Sequence, residues 1–424
     1  MNNFKRFKTL TIWIFSACLI GAIVGTTTAV LLKTNDFLGN TRENHSWFIY
    51  FLPLAGILLG SLYMQLGKNT GNDLYKGNNL VIEGVHAKSK MVKRLGPLVY
   101  LGTFLTVLFG GSTGREGAAI QMGGSVAEAV NQWFKVNIVD TKILLMSGIS
   151  AGFGAAFGTP ITGAVFGMEM TAVGKMKYEA FIPCLVSSFI GHYIAEKTWG
   201  VEHETFVIQS VPELSILTFG KVIILACIFG LVSLFYCQLR HGIQKISEKY
   251  TKKNHRLRAF IGGVIIVFLT ILLGTTDYNG RGLDMLGQSF VEEVPPFAFL
   301  AKLIFTAVTL GTGFVGGEAI PLFFMGATLG NSLYGLIDLP LSFLAGIGMV
   351  AAFTGGANTP IAGFLLAVEM FDGAGIEYFF VACLLSYIIS GTHGLWPSQT
   401  VYEPKSRLYG MQRGQSIKKV EQTK

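Results

Sequence analysis

Residues 151–170 read AGFGAAFGTPITGAVFGMEM, and residues 351–370 read AAFTGGANTPIAGFLLAVEM. Laid over each other without gaps, they agree at eight of twenty positions: Ala151, Phe153, Thr159, Pro160, Ile161, Gly163, Glu169 and Met170. Upstream, Gly114-Arg115-Glu116-Gly117 falls over Gly316-Gly317-Glu318-Ala319 at nearly the same offset of about 200 residues. Two homologous halves follow. An odd number of apolar crossings between the copies makes them inverted, and inverted repeats place a transport site at their junction.

Composition puts both halves in a bilayer. Of 424 residues, 51% are apolar and 14% charged, against about 25% charged in a soluble domain. The 53 glycines agree with the tolerance of membrane helices for this residue. Unbroken apolar runs near 9–33, 47–66, 214–238, 258–274 and 376–395 are long enough to cross a core of about 30 Å. Other apolar stretches, at 97–111, 144–170, 183–196, 297–310, 321–336 and 341–370, are interrupted by Gly and Pro. They read as broken or re-entrant helices, and non-helical backbone at membrane depth survives only where protein or a polar cavity satisfies it. The expectation is one all-α membrane domain over 1–424, with a first repeat at 9–238, a second at 258–402 and a short tail at 403–424. At about 20 residues per crossing, no length is left for a cytoplasmic regulatory domain.

The net charge of +8 sits in loops and tails: Lys5, Arg6 and Lys8; Lys88, Lys90, Lys93 and Arg94; Lys252, Lys253, Arg256 and Arg258; Lys405, Arg407, Arg413, Lys418, Lys419 and Lys424. By the positive-inside rule these mark the cytoplasmic face and set orientation, with both termini cytoplasmic, and they do not form a nucleic-acid surface. The acidic loops 35–46, 196–205 and 277–293 then lie outside. His203, between Glu202 and Glu204, reads as a solvated loop residue. The five cysteines stand singly in apolar stretches and read as packing. No metal-ligand spacing and no H-E-x-x-H motif is present, so neither a metal, a cofactor nor an enzymatic centre is expected.

A helix that starts within the membrane offers unpaired N–H groups and the positive end of its dipole to an anion. Three stretches have that form: Gly77-Asn78-Asn79-Leu80, residues 110–117, and residues 313–321 ending in Pro321. Within them Glu116 and Glu318 are carboxylates in apolar, Gly-rich helix starts. Either stabilises a helix N-terminus or, as an intramembrane ionisable group, belongs to an ion or proton path. Arg115 reads as a structural counter-charge, and the symmetric pair Glu169 and Glu369 as architecture.

Gly114-Arg115-Glu116-Gly117-Ala118-Ala119-Ile120-Gln121, followed by Gly123-Gly124, resembles the G-R-E-G-P-x-V-Q signature of the CLC family of chloride channels and anion/proton antiporters. The likeness runs on through 151–170, through Gly316-Gly317-Glu318-Ala319-Ile320-Pro321, and to Tyr402. It implies the CLC fold of two inverted repeats, a homodimer with one pore per subunit, and a place in the plasma membrane. It also implies roles. Glu116 matches the gating glutamate, Tyr402 the tyrosine whose hydroxyl faces the anion, and the 77–80 turn the anion-binding loop. Glu318, Ala319, Gly317 and Gly117 border the anion, with Gly114, Arg115 and Pro321 shaping the path.

The departures are informative. Asn78, or Asn79 in a shifted alignment, stands where chloride-type members have serine, Glu318 replaces a hydrophobic residue, and Met170 falls where proton-coupled exchangers carry an inner glutamate. This set is similar to the bacterial fluoride/proton antiporters. An amide is a firm donor for a strongly hydrated anion, and a carboxyl that burial keeps neutral can itself donate to it. The expected function is fluoride export in exchange for protons; the alternative is a CLC chloride/proton exchanger or passive chloride channel.

Overall fold

The computed structural model describes residues 3–67, 74–89, 91–135, 137–409 and 413–422. Lys90 and Lys424 of the basic clusters lie outside the described residues, as do the side chains of Lys5, Arg6 and Lys8. In chain order the helices of the first part are α1 (Asn3–Asn44), α2 (Leu52–Gly67), α3 (Asn78–Val85), α4 (Leu95–Leu108), α5 (Glu116–Phe134), α6 (Ile138–Phe157), α7 (Pro160–Glu169) and α8 (Phe181–Tyr193). They are followed by α9 (Ile216–Tyr250), α10 (His255–Leu273), α11 (Leu283–Gln288), α12 (Ala298–Gly311), α13 (Ala319–Ser332), α14 (Leu341–Ala357), α15 (Pro360–Met370), α16 (Ile376–Ile389) and α17 (Ile417–Gln422). One two-stranded parallel sheet joins β1 (Ala172–Val173) to β2 (Thr400–Val401).

Among the described residues, five helical segments are long and apolar enough to cross a membrane: Thr9–Asn44, Ser46–Gly67, Ile138–Phe157, Ile216–Tyr250 and His255–Leu273. Four of them answer to the unbroken runs of the sequence. The run at 376–395 does not, because α16 stops at Ile389 and the chain continues as a loop that turns inward with Trp396 buried. The polar stretch after residue 34 is not a loop either. It extends α1 to Asn44, with the Asn35 amide donating to the Leu31 carbonyl at 2.7 Å.

The two motif copies break at equivalent places. Gly158 (φ 74°) and Asn358 (φ 61°) end α6 and α14 in the left-handed conformation. Thr-Pro then restarts the chain as α7 and α15 with proline in the first turn, where a missing N–H costs nothing. Each restart is capped by the other half. Glu369 accepts from the N–H groups of Ile161 (2.9 Å) and Thr162 (2.6 Å), and Glu169 from those of Ile361 (3.2 Å) and Ala362 (2.8 Å). This reciprocity is what a two-fold relation between the halves produces, and it gives both glutamates the architectural role expected of them.

The same relation governs packing. α5 crosses α6, and α13 crosses α14, at facing glycines. A Cβ on Gly148 would lie 2.3 Å from the Gly123 carbonyl oxygen, and one on Gly348 would lie 2.1 Å from that of Gly326. Backbones this close are the usual way membrane helices gain packing energy where no hydrophobic drive exists. α1 packs on α4, α5, α6 and α8, while α9 packs on α12, α13, α14 and α16. α9 is therefore the counterpart of α1.

Two outcomes follow for stability. Gly148→Ala or Gly348→Ala is expected to destabilise the fold by about 3 kcal/mol or more, because the clash is with backbone; thermal unfolding in detergent reads it, and a melting point equal to wild type refutes the crossing. Glu369→Ala leaves helix-start N–H groups unpaired at a cost of about 1–3 kcal/mol, and Glu369→Gln is expected to recover part of that loss in the same assay.

Candidate functional site

The starts of α5 and α13 are held together by backbone. Gly114 N–H donates to the Gly317 carbonyl at 2.8 Å and Gly317 N–H to the Gly114 carbonyl at 2.7 Å. The Thr113 hydroxyl adds a bond to the Gly317 carbonyl at 2.9 Å. Side chains are excluded here: a Cβ on Gly317 would sit 2.8 Å from the Gly117 nitrogen and 3.1 Å from the Glu116 carboxylate, and one on Gly114 would strike that carboxylate. The two helix N-termini, one from each half, thus converge with their N–H ends together, a concentration of positive partial charge.

Glu116 opens α5 and is 3% exposed. Its carboxylate accepts from the Arg115 N–H at 3.1 Å, and the Arg115 guanidinium lies 4.0 Å away. Arg115 is committed elsewhere, to the Leu32 carbonyl at 3.0 Å and to Asp36 of α1. It ties α1 to the start of α5, as a structural counter-charge does. Pro321 lies in the first turn of α13, behind Gly114.

On the other side of the junction lies a cavity lined by Asn78, Asn79, Gln121, Arg240, Arg258, Glu318, Trp396 and the backbone of 313–316. Asn78 begins α3, after Gly77 at φ 55°. The Asn78 amide nitrogen points to Gly117, since a Cβ there would lie 3.2 Å from it. Asn79 instead fixes the wall, its side-chain oxygen accepting from the Ser398 N–H at 2.9 Å. Both asparagines line the cavity, Asn78 facing the helix junction and Asn79 holding the loop.

Glu318 precedes Ala319 at the start of α13 and does not stand alone. Its carboxylate is 3.2 Å from the Arg240 guanidinium and accepts a long bond, 3.4 Å, from the Tyr236 hydroxyl, both on α9. Sequence reading missed these partners because Tyr236 and Arg240 lie about eighty residues away, inside a helix that looks like an ordinary span. An arginine at the end of a long apolar run is the one signal that pointed to it.

Tyr402 is placed differently from its expected position. β2 and the bond from the Tyr402 N–H to the Val173 carbonyl (3.0 Å) pin it beside Lys175, whose ammonium stands 4.6 Å over its ring. Tyr402 does not line the cavity. Tyr63, Tyr75, Phe314 and Trp396 do, and Trp396 is 5% exposed with an indole N–H that has no hydrogen-bond partner. Trp396 is hidden in the sequence because the inward loop after Ile389 reads as part of a span.

The two mouths differ in sign. The cavity at Glu318 carries Lys76, Arg240 and Arg258 against that one carboxylate. The vestibule beyond Glu116 is lined by Asp36, Glu43, Glu202, Glu204, Asp277 and Asp284 against Arg42 and Arg281. A small cavity containing Arg115, Glu116, His203, Glu204 and Arg281 joins that vestibule to the junction. Among the described residues, no group of three or more His, Cys, Asp or Glu side chains is placed to hold a metal.

A fold of this kind, with a site of this kind, has known counterparts. The family model described as voltage gated chloride channel matches residues 55–391. The chloride/fluoride channel protein of Pseudomonas syringae pv. tomato is 38% identical over 96% of this chain and 91% of its own length. The H(+)/Cl(-) exchange transporter of Vibrio campbellii is 27% identical over 84% of this chain and 81% of its own. The crystal structure of a CLC-type fluoride/proton antiporter superposes with a TM-score of 0.89 at 30% identity, covering 95% of this chain and all of that one. A slow cyanobacterial Cl-/H+ antiporter superposes at 0.77 with 19% identity and shares the fold. The breaks at Thr159-Pro160 and Thr359-Pro360, the paired half-helix starts and these matches have one reading: the chain is a member of the voltage gated chloride channel family, the CLC family.

Proposed function

We propose that this protein exports fluoride across the plasma membrane in exchange for protons. The observation that carries the reading is the pair of carboxylates, Glu116 and Glu318, on either side of one backbone junction, with the Asn78 amide beside Gly117. The names of its relatives, a chloride/fluoride channel protein and a fluoride/proton antiporter, supply the substrate class. The basic cavity faces the cytoplasm, the acidic vestibule faces outside, and both termini are cytoplasmic. A homodimer with one pathway per subunit follows the family pattern.

The residues divide the work. Lys76, Arg240 and Arg258 draw the anion toward the junction by long-range attraction. There the N–H groups at the starts of α5 and α13 and the Asn78 amide replace its lost water, which matters most for a small, strongly hydrated anion. Glu116, while ionised, repels an anion from the same N–H groups; protonation removes that charge and opens the place. Glu318 is balanced by Arg240, so a proton arriving at Glu318 frees the guanidinium to hold the anion. Proton binding and anion binding are coupled because both draw on the same supports, the helix-start N–H groups and the Arg240 guanidinium.

Anion efflux from liposomes under an imposed proton gradient tests this directly. Fluoride movement is expected to drive protons uphill, with chloride slower by about tenfold or more, equivalent to about 1.4 kcal/mol of discrimination. Chloride moving as fast as fluoride would favour the general chloride exchanger instead. Glu116→Gln is expected to abolish proton coupling. Glu318→Gln leaves Arg240 without its counter-charge, and breaking such a buried pair costs about 3–5 kcal/mol, so slowed, poorly coupled exchange is expected; intact fluoride-driven proton flux in this variant would refute the role of Glu318. Asn78→Ser is expected to narrow the fluoride preference, read as the ratio of fluoride to chloride flux.

A further inference from the structure

His203 is not the solvated loop residue that its acidic neighbours suggest. It lies in the segment between α8 and α9, lines the acidic vestibule, and also lines the small cavity that contains Glu116. Of the residues shared by both spaces, His203, Glu204, Arg281 and Leu283, Arg281 is ion-paired with Asp36 at 2.8 Å and lies 3.9 Å from Glu204. The imidazole is the group there that is a neutral base, able to take up a proton and give it up again.

Its geometry suits that task. The ring packs on the left-handed end of α6, where a Cβ on Gly158 would lie 2.6 Å from His203 Cδ2. One ring nitrogen bonds the backbone of Ala156, while Nε2 is buried with no hydrogen-bond partner. A fixed backbone bond on one nitrogen sets the tautomer and leaves the other as a proton acceptor. Behind it the His192 ring stands with its centroid 5.9 Å away, and His192 Nε2 lies 2.9 Å from Glu196.

We propose that His203 passes protons between the acidic vestibule and Glu116, with His192 and Glu196 as a second approach from solvent. Nε2 takes a proton to give the imidazolium, then returns it to the Glu116 carboxylate, restoring the neutral ring; one proton moves and nothing else changes. The charged groups that face the ring are Glu202 and Glu204 beside it, His192 and Glu196 from α8 and its extension, Arg115 and Glu116 from the start of α5, Asp36 from α1, and Arg281. Burial, with His192 and Arg115 adding to it, pushes the His203 imidazole down to about 4. The ring is thus neutral at rest and gives up a proton readily, as a relay requires. The inference rests on the fluoride/proton antiport reading.

The test uses the purified full chain in liposomes with a fluoride gradient. His203→Gln keeps the size and polarity of the side chain but cannot relay, and fluoride-driven proton uptake at an external pH of about 7.5 is expected to fall on the order of tenfold or more. It is expected to recover as external pH is lowered toward about 5, where hydronium reaches Glu116 without help. His203→Ala is expected to regain proton uptake when imidazole is added outside, and not when it is added only inside. His203→Gln exchange within about twofold of wild type at every pH, or a uniform loss in both variants without rescue, overturns the relay. A wild-type protein that moves fluoride but no protons would fail the antiport reading itself, and is distinguished because it shows before any variant is made.

Discussion

The mutual hydrogen bonds between Gly114 and Gly317 are the constraint on which the rest of the structure depends. They join two helices from opposite halves at their N-terminal ends, where like partial charges would otherwise drive them apart. The arrangement is tolerable only with negative charge nearby. Glu116 and Glu318, one at each helix start, supply it from the chain, and an anion supplies it from outside. On the proposed reading, structure and transport share an electrostatic cause: the site that needs a carboxylate for stability is the place offered to the anion.

Reciprocity extends outward from that junction. Glu169 and Glu369 cap each other's half, and facing glycines at 123 and 148, and again at 326 and 348, let the helix pairs approach backbone to backbone. The halves nevertheless differ where function differs. Glu116 lies beside an arginine already committed to α1, whereas Glu318 is matched by Arg240 from α9. The first carboxylate has a neighbour that cannot follow it; the second has one that shares its charge. Acidic residues gather at one mouth and basic ones at the other.

Much of the fold was legible because its signals are local. Apolar length marks a span, Gly and Pro mark a break, and a repeated Thr-Pro-Ile-x-Gly marks two copies of one unit. Glu116, Glu318 and Asn78 were legible for the same reason, each sitting in a Gly-rich helix start. What escaped is a matter of partners. Tyr236 and Arg240 lie in a helix that reads as an ordinary span but for the arginine at its end, and Trp396 lies in a loop whose apolar sequence reads as the end of a span. Tyr402 is drawn away by the β1–β2 pairing, a contact over some two hundred residues.

The sequence by itself determined a membrane protein of two repeats, the breaks in its helices, and the carboxylates and amide that stand in them. These are properties of residue type and short spacing, set by what lipid excludes and what a helix start leaves unpaired. Only the tertiary structure decided which asparagine faces the junction, which cation balances Glu318, that Trp396 enters the cavity and that His203 lines one cavity with Glu116. Each of these depends on how separately coded segments converge, and convergence is fixed by packing of the whole chain, which no local stretch encodes.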